Sequence, residues 1–230
     1  MTAFNRIPLV EGERKPRVFV IGEILINYHP VSNAHIEEYL EKNGMEVVMP
    51  PMIDVFKKDA STVRQSMRRF HVRFPFLEAL ESIATDNLID WGINLMEGIN
   101  RSFRFFETRE RYDDLAVHID GLVDPVFNSG KGWLIPADII DQSMRGVNSF
   151  VIIQPFGCLP NHITGRGIIK SVKKKLPHIQ VLSLDFDPDT SLANVENRLQ
   201  MLIINARELE KRSPGVPSYH DNQQAIPQDL

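Results

Sequence analysis

Short runs of apolar and β-branched residues recur along the chain and predict four buried strands, at positions 18–21, 46–49, 150–153 and 179–184. Between and after these runs, apolar residues recur every three or four positions, the spacing of an amphipathic helix. This spacing covers residues 36–40, 134–144, 168–176 and 192–209. Alternating strands and helices predict an α/β fold built on a doubly wound, mostly parallel sheet.

The segment from about 57 to 112 has no strong strand pattern, and its apolar residues recur at helical intervals. We therefore predict a single α/β domain at 17–212 with a helical insertion at about 57–112. Residues 115–127 are ambiguous and are compatible with the end of a helix followed by a short strand near 123–127. A leader at 1–16 and a disordered tail at 213–230, rich in proline and polar residues, complete the predicted organisation.

Composition narrows the class of protein. The chain has 230 residues with 43% hydrophobic and 24% charged residues, as expected for one globular domain. Its 26 basic and 30 acidic residues give a net charge of -4, which argues against a general nucleic-acid partner. No apolar run approaches the ~20 residues of a membrane span, and the N-terminus does not resemble a secretory signal. These features predict a cytoplasmic protein without a membrane partner.

Candidate chemistry is concentrated in the loops that follow the predicted strands. The carboxyl ends of parallel strands meet at one edge of a sheet, where ligands bind. These loops span 22–33, the residues after 49, 155–167, 185–194 and, from their position ahead of a helix, 128–133. They are rich in Gly, Pro, Asn, His and Asp, which is typical of a binding edge.

The densest of these loops, 154–167, contains Cys158, the one cysteine of the chain. A single thiol forms no intramolecular disulfide and does not complete a four-cysteine metal site. Cys158 has three interpretations: a small buried hydrophobe, a reactive thiolate beside His162 and Arg166, and, on weaker grounds, a Cys–His nucleophile.

Two other loops carry weaker signals. Gly130 and Gly132 flank a lysine and precede a helix, which suits either a phosphate contact or a tight turn. Asp185, Asp187 and Asp189 alternate as in a calcium loop, but local helix capping is the favoured interpretation, with Asp185 or Asp187 facing the crevice. Two basic clusters, at 64–73 and 166–175, are interpreted as solvated helix faces, with a CoA or nucleotide phosphate as the alternative partner.

Long runs of the chain resemble proteins related to the 2-hydroxyacyl-CoA dehydratases and their CoA-enzyme activases. The similarity is carried by GKGWLIPADII at 130–140, VIIQPFGCLPNHITGRGIIK at 151–170 and LDFDPDTSLANVENRLQMLI at 184–203. The opening segment at 7–50 looks like the preceding βαβ unit of the same family. The resemblance covers nearly the whole chain except the helical middle and the tail.

The resemblance implies a flavodoxin-like α/β domain of an iron–sulfur system, in which an ATP-dependent activator passes single electrons to a dehydratase-like component. Cys158 matches the family's PFGC cysteine and would ligate a shared 4Fe–4S cluster. The candidate cofactor-binding residues, from the matching motifs and the strand-end loops together, are Gly157, Cys158, Asn161, His162, Arg166, Tyr28, His29, Asn33, Gly130, Gly132, Asp185 and Asp187.

The resulting hypothesis is an iron–sulfur component, or the C-terminal domain of one, with no catalytic residue assigned. Further cysteines would come from a second copy, a partner subunit or a region outside this sequence, and the activator would be a separate chain. The alternative is a non-catalytic domain that binds CoA or a nucleotide, or assembles subunits, without a cluster. This chain lacks an ATPase phosphate loop and is not predicted to be the activator.

Overall fold

The computed structural model describes residues 2–8, 15–108 and 110–212. The predicted tail at 213–230 and residues 9–14 of the predicted leader lie outside these ranges. The helices and strands follow in the order α1 Thr2–Asn5, β1 Arg17–Gly22, α2 Ile24–Tyr28, α3 Ile36–Lys42, β2 Glu46–Val48, α4 Ile53–Phe70, α5 Phe76–Asn100, α6 Tyr112–His118, α7 Leu134–Met144, β3 Ser149–Pro155, α8 Leu159–Thr164, a 3-10 turn Arg166–Ile168, α9 Ile169–Lys175, β4 Gln180–Phe186 and α10 Leu192–Arg212.

The four strands form one sheet in which every neighbouring pair is parallel, in the order β2-β1-β3-β4. This order and the flanking helices confirm the predicted α/β fold and give a flavodoxin-like arrangement. The chain leaves β1 toward β2 on one side and returns to β3 on the other. The point where the strand order reverses therefore lies between β1 and β3, and this is where open α/β sheets form their binding crevice.

Helices cover both faces of the sheet. On one face Val20 and Val151 pack with Leu40 of α3 and Leu199 of α10. On the other, Phe19 and its neighbours pack with residues of α7 and α9, namely Ile135, Ile139 and Val172. Alternate strand residues point to opposite faces, so the central strands β1 and β3 are buried on both sides, whereas the edge strands β2 and β4 are partly exposed. The ambiguous segment at 115–127 contains the end of α6, as one interpretation expected, and no strand forms at 123–127, where the chain turns at 125–126.

The chain divides into two compact units. The first, here called the helical unit, comprises residues 1–13 and 51–112, and the second, the sheet unit, comprises 14–50 and 113–230. Helices α4 and α5 pack together as a hairpin in the helical unit. Within the described ranges, no helix is both long and apolar enough to cross a membrane.

Candidate active-site crevice

At the carboxyl ends of β1 and β3, Gly22 allows the two strands to lie unusually close together. A Cβ atom at this position would lie 1.6 Å from the carbonyl oxygen of Ile153, so only glycine lets the two strands approach. The next residue, Glu23, donates its backbone N–H to the same oxygen (2.9 Å), and its carboxylate caps α2 by accepting from Ile26 N (3.1 Å). The start of α2 is therefore fixed at the point where the strand order reverses.

Cys158 lies in the loop between β3 and α8, at the position before the first residue of α8. The residue is partly exposed, which departs from the small buried hydrophobe of the first interpretation. Gly157 precedes it with φ of +77°, and the Cys158 N–H donates to the carbonyl of Pro155 (3.2 Å). The carbonyl of Cys158 accepts from the backbone N–H of His162 (2.9 Å) and lies 2.8 Å from Nδ1 of its ring. The loop thus holds the thiol close to the edge of the sheet.

Asp185, near the end of β4, contacts three side chains of this region. Its Oδ1 accepts from Nε2 of Gln154 (2.7 Å) and lies 3.5 Å from Nε2 of His162, while Oδ2 pairs with Nη1 of Arg166 (2.8 Å). The ring of His162 thus lies between the carbonyl of Cys158 and the carboxylate of Asp185. The structure therefore brings Gln154, His162, Arg166 and Asp185 together, with the charge of Arg166 neutralised by Asp185, while Cys158 meets His162 through its backbone carbonyl.

The loop at 128–133 contacts the two other crevice loops. A Cβ atom on Gly132, whose φ is +49°, would lie 2.0 Å from the carbonyl oxygen of Phe127, so this turn requires glycine. Lys131 is buried, with its ammonium nitrogen 5.8 Å from the centre of the Tyr28 ring. At Gly130 an added Cβ would meet Pro160 of α8 at 3.5 Å. The 128–133 loop thus meets Tyr28 of α2 and Pro160 of α8, which are distant from each other in the sequence.

Three buried amide side chains lie in the segments that surround the reversal point. Asn27 of α2 and Asn161 of α8 are buried, as is Gln154 of β3. Among the described residues, no hydrogen-bond partner satisfies Nδ2 or Oδ1 of Asn27, Oε1 of Gln154 or Nδ2 of Asn161. Unsatisfied buried polar atoms are rare in folded proteins, and bound water or a ligand is the usual explanation.

Other predicted site residues form hydrogen bonds within their own loops. Asn33 is buried and uses both amide atoms, donating to the carbonyl of Ile26 (2.8 Å) and accepting from Ile36 N (3.3 Å). It therefore links α2 to the first residue of α3, whose N-cap position is His35. His29 is exposed and bonds to Ser32 (2.8 Å), and Asp187 holds an exposed turn by accepting from Asp189 N (2.9 Å). These three residues stabilise loops at the rim of the crevice.

Asn27 and Gln154 lie in the predicted loops 22–33 and 154–167 but were not selected as site residues. Each is a polar residue in an otherwise apolar segment, EILINY and VIIQP, and that interruption was the available signal. The sequence analysis considered Lys131 only as the lysine of a glycine-flanked loop and did not predict its burial beside Tyr28. Arg64 was interpreted as part of a solvated face, which is wrong, because its largely buried side chain forms an ion pair with Asp86 in the helical unit.

The chain was compared with protein-family models, curated proteins and solved structures, and none of the three comparisons gives a significant match.

Proposed function

We propose that this chain is an iron–sulfur component related to the 2-hydroxyacyl-CoA dehydratases, in which Cys158 supplies one ligand of a cluster shared with another polypeptide. The observation that carries this proposal is the position of Cys158. A partly exposed cysteine follows the central strand β3, beside the reversal point of the sheet. The PFGCLPNH motif that surrounds it is the strongest part of the family resemblance.

The donor set of this chain does not fit a complete cluster. A 4Fe–4S cluster is usually held by four thiolates, and the sequence contains one cysteine. The remaining ligands would come from another polypeptide, and the exposure of Cys158 allows such sharing. His162 and Arg166 lie on the same segment, where Asp185 fixes their positions. Their role in this proposal is to hold the loop that presents the thiol.

Anaerobic reconstitution with ferrous iron and sulfide tests the ligand assignment. The full chain, alone and mixed with a dehydratase-type subunit and its activator ATPase, is compared with Cys158→Ala and with the loop control Phe156→Ala. We expect iron and charge-transfer absorption in the wild type and in Phe156→Ala, and loss of both in Cys158→Ala. Equal iron in wild type and Cys158→Ala contradicts the proposal, as does a wild type that takes up no iron in any mixture.

The buried amides favour a second candidate, a crevice that binds CoA or a nucleotide without a cluster. Asn27, Gln154 and Asn161 offer both donors and acceptors with no partner among the described groups, which suits a polar ligand. Buried Lys131 adds a positive charge near Tyr28, as a phosphate-bearing ligand would need.

Thermal-shift titration with CoA, acyl-CoA and nucleotides separates this candidate from the first. The expected result is an increase in Tm with one of these ligands, abolished in Asn27→Leu and retained in the exposed control Asn194→Leu. If none of them changes the Tm while iron loading raises it, the cluster hypothesis is supported instead.

A further inference from the structure

The α4–α5 hairpin has polar residues inside and apolar residues outside. Between the two helices Lys57 is 5% exposed and Asp86 is fully buried, whereas on the outer side of α5 Leu77 is 75% exposed and Trp91 is 64% exposed. The exposed apolar residues on this side, here called the stripe, follow helical spacing and are Leu77, Leu80, Leu88, Trp91, Leu95 and Ile99. A contiguous exposed apolar surface of this kind marks an interaction site in a folded protein.

Helices α4 and α5 also form a groove of about 380 Å³ between them. Apolar side chains line part of this groove, namely Phe56 and Ala60 of α4 and Ile89 of α5. Beneath it the hydroxyl of Ser82 on α5 donates to the carbonyl of Ala60 on α4 (2.8 Å). The two walls of the groove are therefore fixed to each other.

Acidic residues lie where the groove meets the stripe. Glu78 and Glu81 line the groove and are exposed. Glu81 follows Leu77 by four residues, so a groove acid and a stripe residue are neighbours on the surface of α5. Neither carboxylate has an ion-pair partner among the described residues, whereas Asp59, the third acid of the groove, lies 3.5 Å from Lys58.

The charge of α5 determines which occupant fits. This helix contains five acids and no lysine, arginine or histidine, and Asp86 and Asp90 pair with Lys57 inside the hairpin. A partner that covers the groove and the stripe also covers Glu78 and Glu81, and burial of a carboxylate without a counter-charge is costly. The occupant must therefore supply cations. A second α5 helix supplies none, and an anionic membrane surface repels acids.

We propose that the groove and the stripe bind a basic amphipathic helix of another protein. Its apolar side chains cover Leu77, Leu88 and Ile89, and lysines or arginines along the edge of its apolar face pair with Glu78 and Glu81. Apolar anchors three or four residues apart provide the affinity in this mode of recognition. Complementary charges then select the partner. The surface lies in the helical unit and does not depend on the proposed function.

Fluorescence anisotropy with synthetic peptides tests the proposal on the full chain. The probe is a labelled helical peptide of ~18 residues, about five turns, with leucines on one face and lysines along its edges. A matched peptide has glutamate in place of each lysine. The wild type is expected to bind the lysine peptide only, and more weakly as the salt concentration rises. A wild type that does not bind the lysine peptide, or that binds both peptides equally, overturns the proposal.

Charge reversal in the groove locates the binding surface. Glu78→Lys/Glu81→Lys is expected to weaken binding of the lysine peptide by on the order of tenfold or more, and to bind the glutamate peptide instead. That gain shows that the loss is not caused by unfolding. The control Glu196→Lys/Glu210→Lys makes the same change in net charge at exposed residues of α10, and wild-type affinity is expected. An equal loss in the control overturns the proposal, because binding then follows net charge alone.

Leu88→Ser tests the contribution of the stripe. It is expected to weaken binding of the lysine peptide several-fold, whereas Met201→Ser, at a residue of α10 that is 67% exposed, leaves the affinity unchanged. Leu88→Ser is also expected to leave the sedimentation coefficient of the free chain unchanged. A wild-type dimer that Leu88→Ser dissociates overturns the proposal, because a second copy then covers the stripe. Binding to phosphatidylglycerol vesicles that Leu88→Ser abolishes overturns it in favour of a membrane.

Discussion

The ammonium nitrogen of Lys57 lies 2.5 Å from Oδ1 of Asp86, and both side chains are buried between α4 and α5. Asp90 also pairs with Lys57 (2.7 Å), and Arg64 pairs with the other oxygen of Asp86. The helical unit is therefore held together by a buried ionic network. Such a network is weak evidence for net stability, but it is very sensitive to loss of one member, because the remaining charge stays buried.

Asp86→Ala is expected to lower the free energy of unfolding of the helical unit by about 3–5 kcal/mol, since it leaves Lys57 without its closest counter-charge. The chain has two tryptophans, Trp91 on α5 and Trp133 in the sheet unit. In a Trp133→Phe background, the fluorescence of Trp91 during urea denaturation reports on α5. Asp59→Ala, at an exposed acid of α4, is the control, and a loss as large as that of Asp86→Ala would contradict the role of the network.

Gly22→Ala is expected to disrupt the sheet unit, because the added Cβ would lie 1.6 Å from the carbonyl oxygen of Ile153. Overpacking of this kind costs on the order of 1–3 kcal/mol or more. In a Trp91→Phe background, the fluorescence of Trp133 measures the change. Gly98→Ala, in the helical unit, provides the contrast, since its Cβ meets no atom within 4 Å inside a helix. A gain of roughly 0.5–1 kcal/mol is expected there, measured by the fluorescence of Trp91 in the Trp133→Phe background. Equal stability of Gly22→Ala and wild type would show that β1 and β3 are not in this register.

Tyr28→Phe is expected to destabilise the sheet unit by about 1 kcal/mol, because it removes the hydrogen bond from the Tyr28 hydroxyl to the carbonyl of Pro50 (2.7 Å). The ring that faces Lys131 is retained. Tyr28→Leu removes the ring as well and is expected to cost more, by about 0.5–2 kcal/mol for the lost cation–π contact. Chemical denaturation of both variants checks the order, and an equal loss in the two would argue against a contribution from the ring.

Asp185→Asn is expected to raise the rate at which a maleimide alkylates Cys158 several-fold. The substitution weakens the attachment of Arg166 and His162 to the end of β4, and these residues lie on the segment that carries Cys158. Local opening of that segment exposes the thiol more often. Asp187→Asn, in the exposed turn that follows, is the control and should leave the rate unchanged. A rate in Asp185→Asn that equals the wild-type rate would show that Asp185 does not restrain the loop.

The strands could be predicted because each buried strand is a local run of apolar residues. The same is true of α3, which was predicted from the helical spacing of its apolar residues at 36–40. The crevice was predictable only in outline. Which residues meet there depends on strand order, and strand order results from packing between distant segments. The contact of Lys131 with Tyr28 leaves no local pattern in the sequence.

The sequence by itself determined the alternation of strands and helices, the position of Cys158 after a buried strand, and the apolar periodicity of α5, because all three depend on neighbours within a few residues. Only the tertiary structure decided which face of α5 is covered. Helical spacing defines a stripe but not what the stripe contacts, and here Lys57 and Asp86 occupy the inside of the hairpin. The strand order also decided that α2, α8 and the 128–133 loop meet, since that requires the sheet to bring distant segments to one edge.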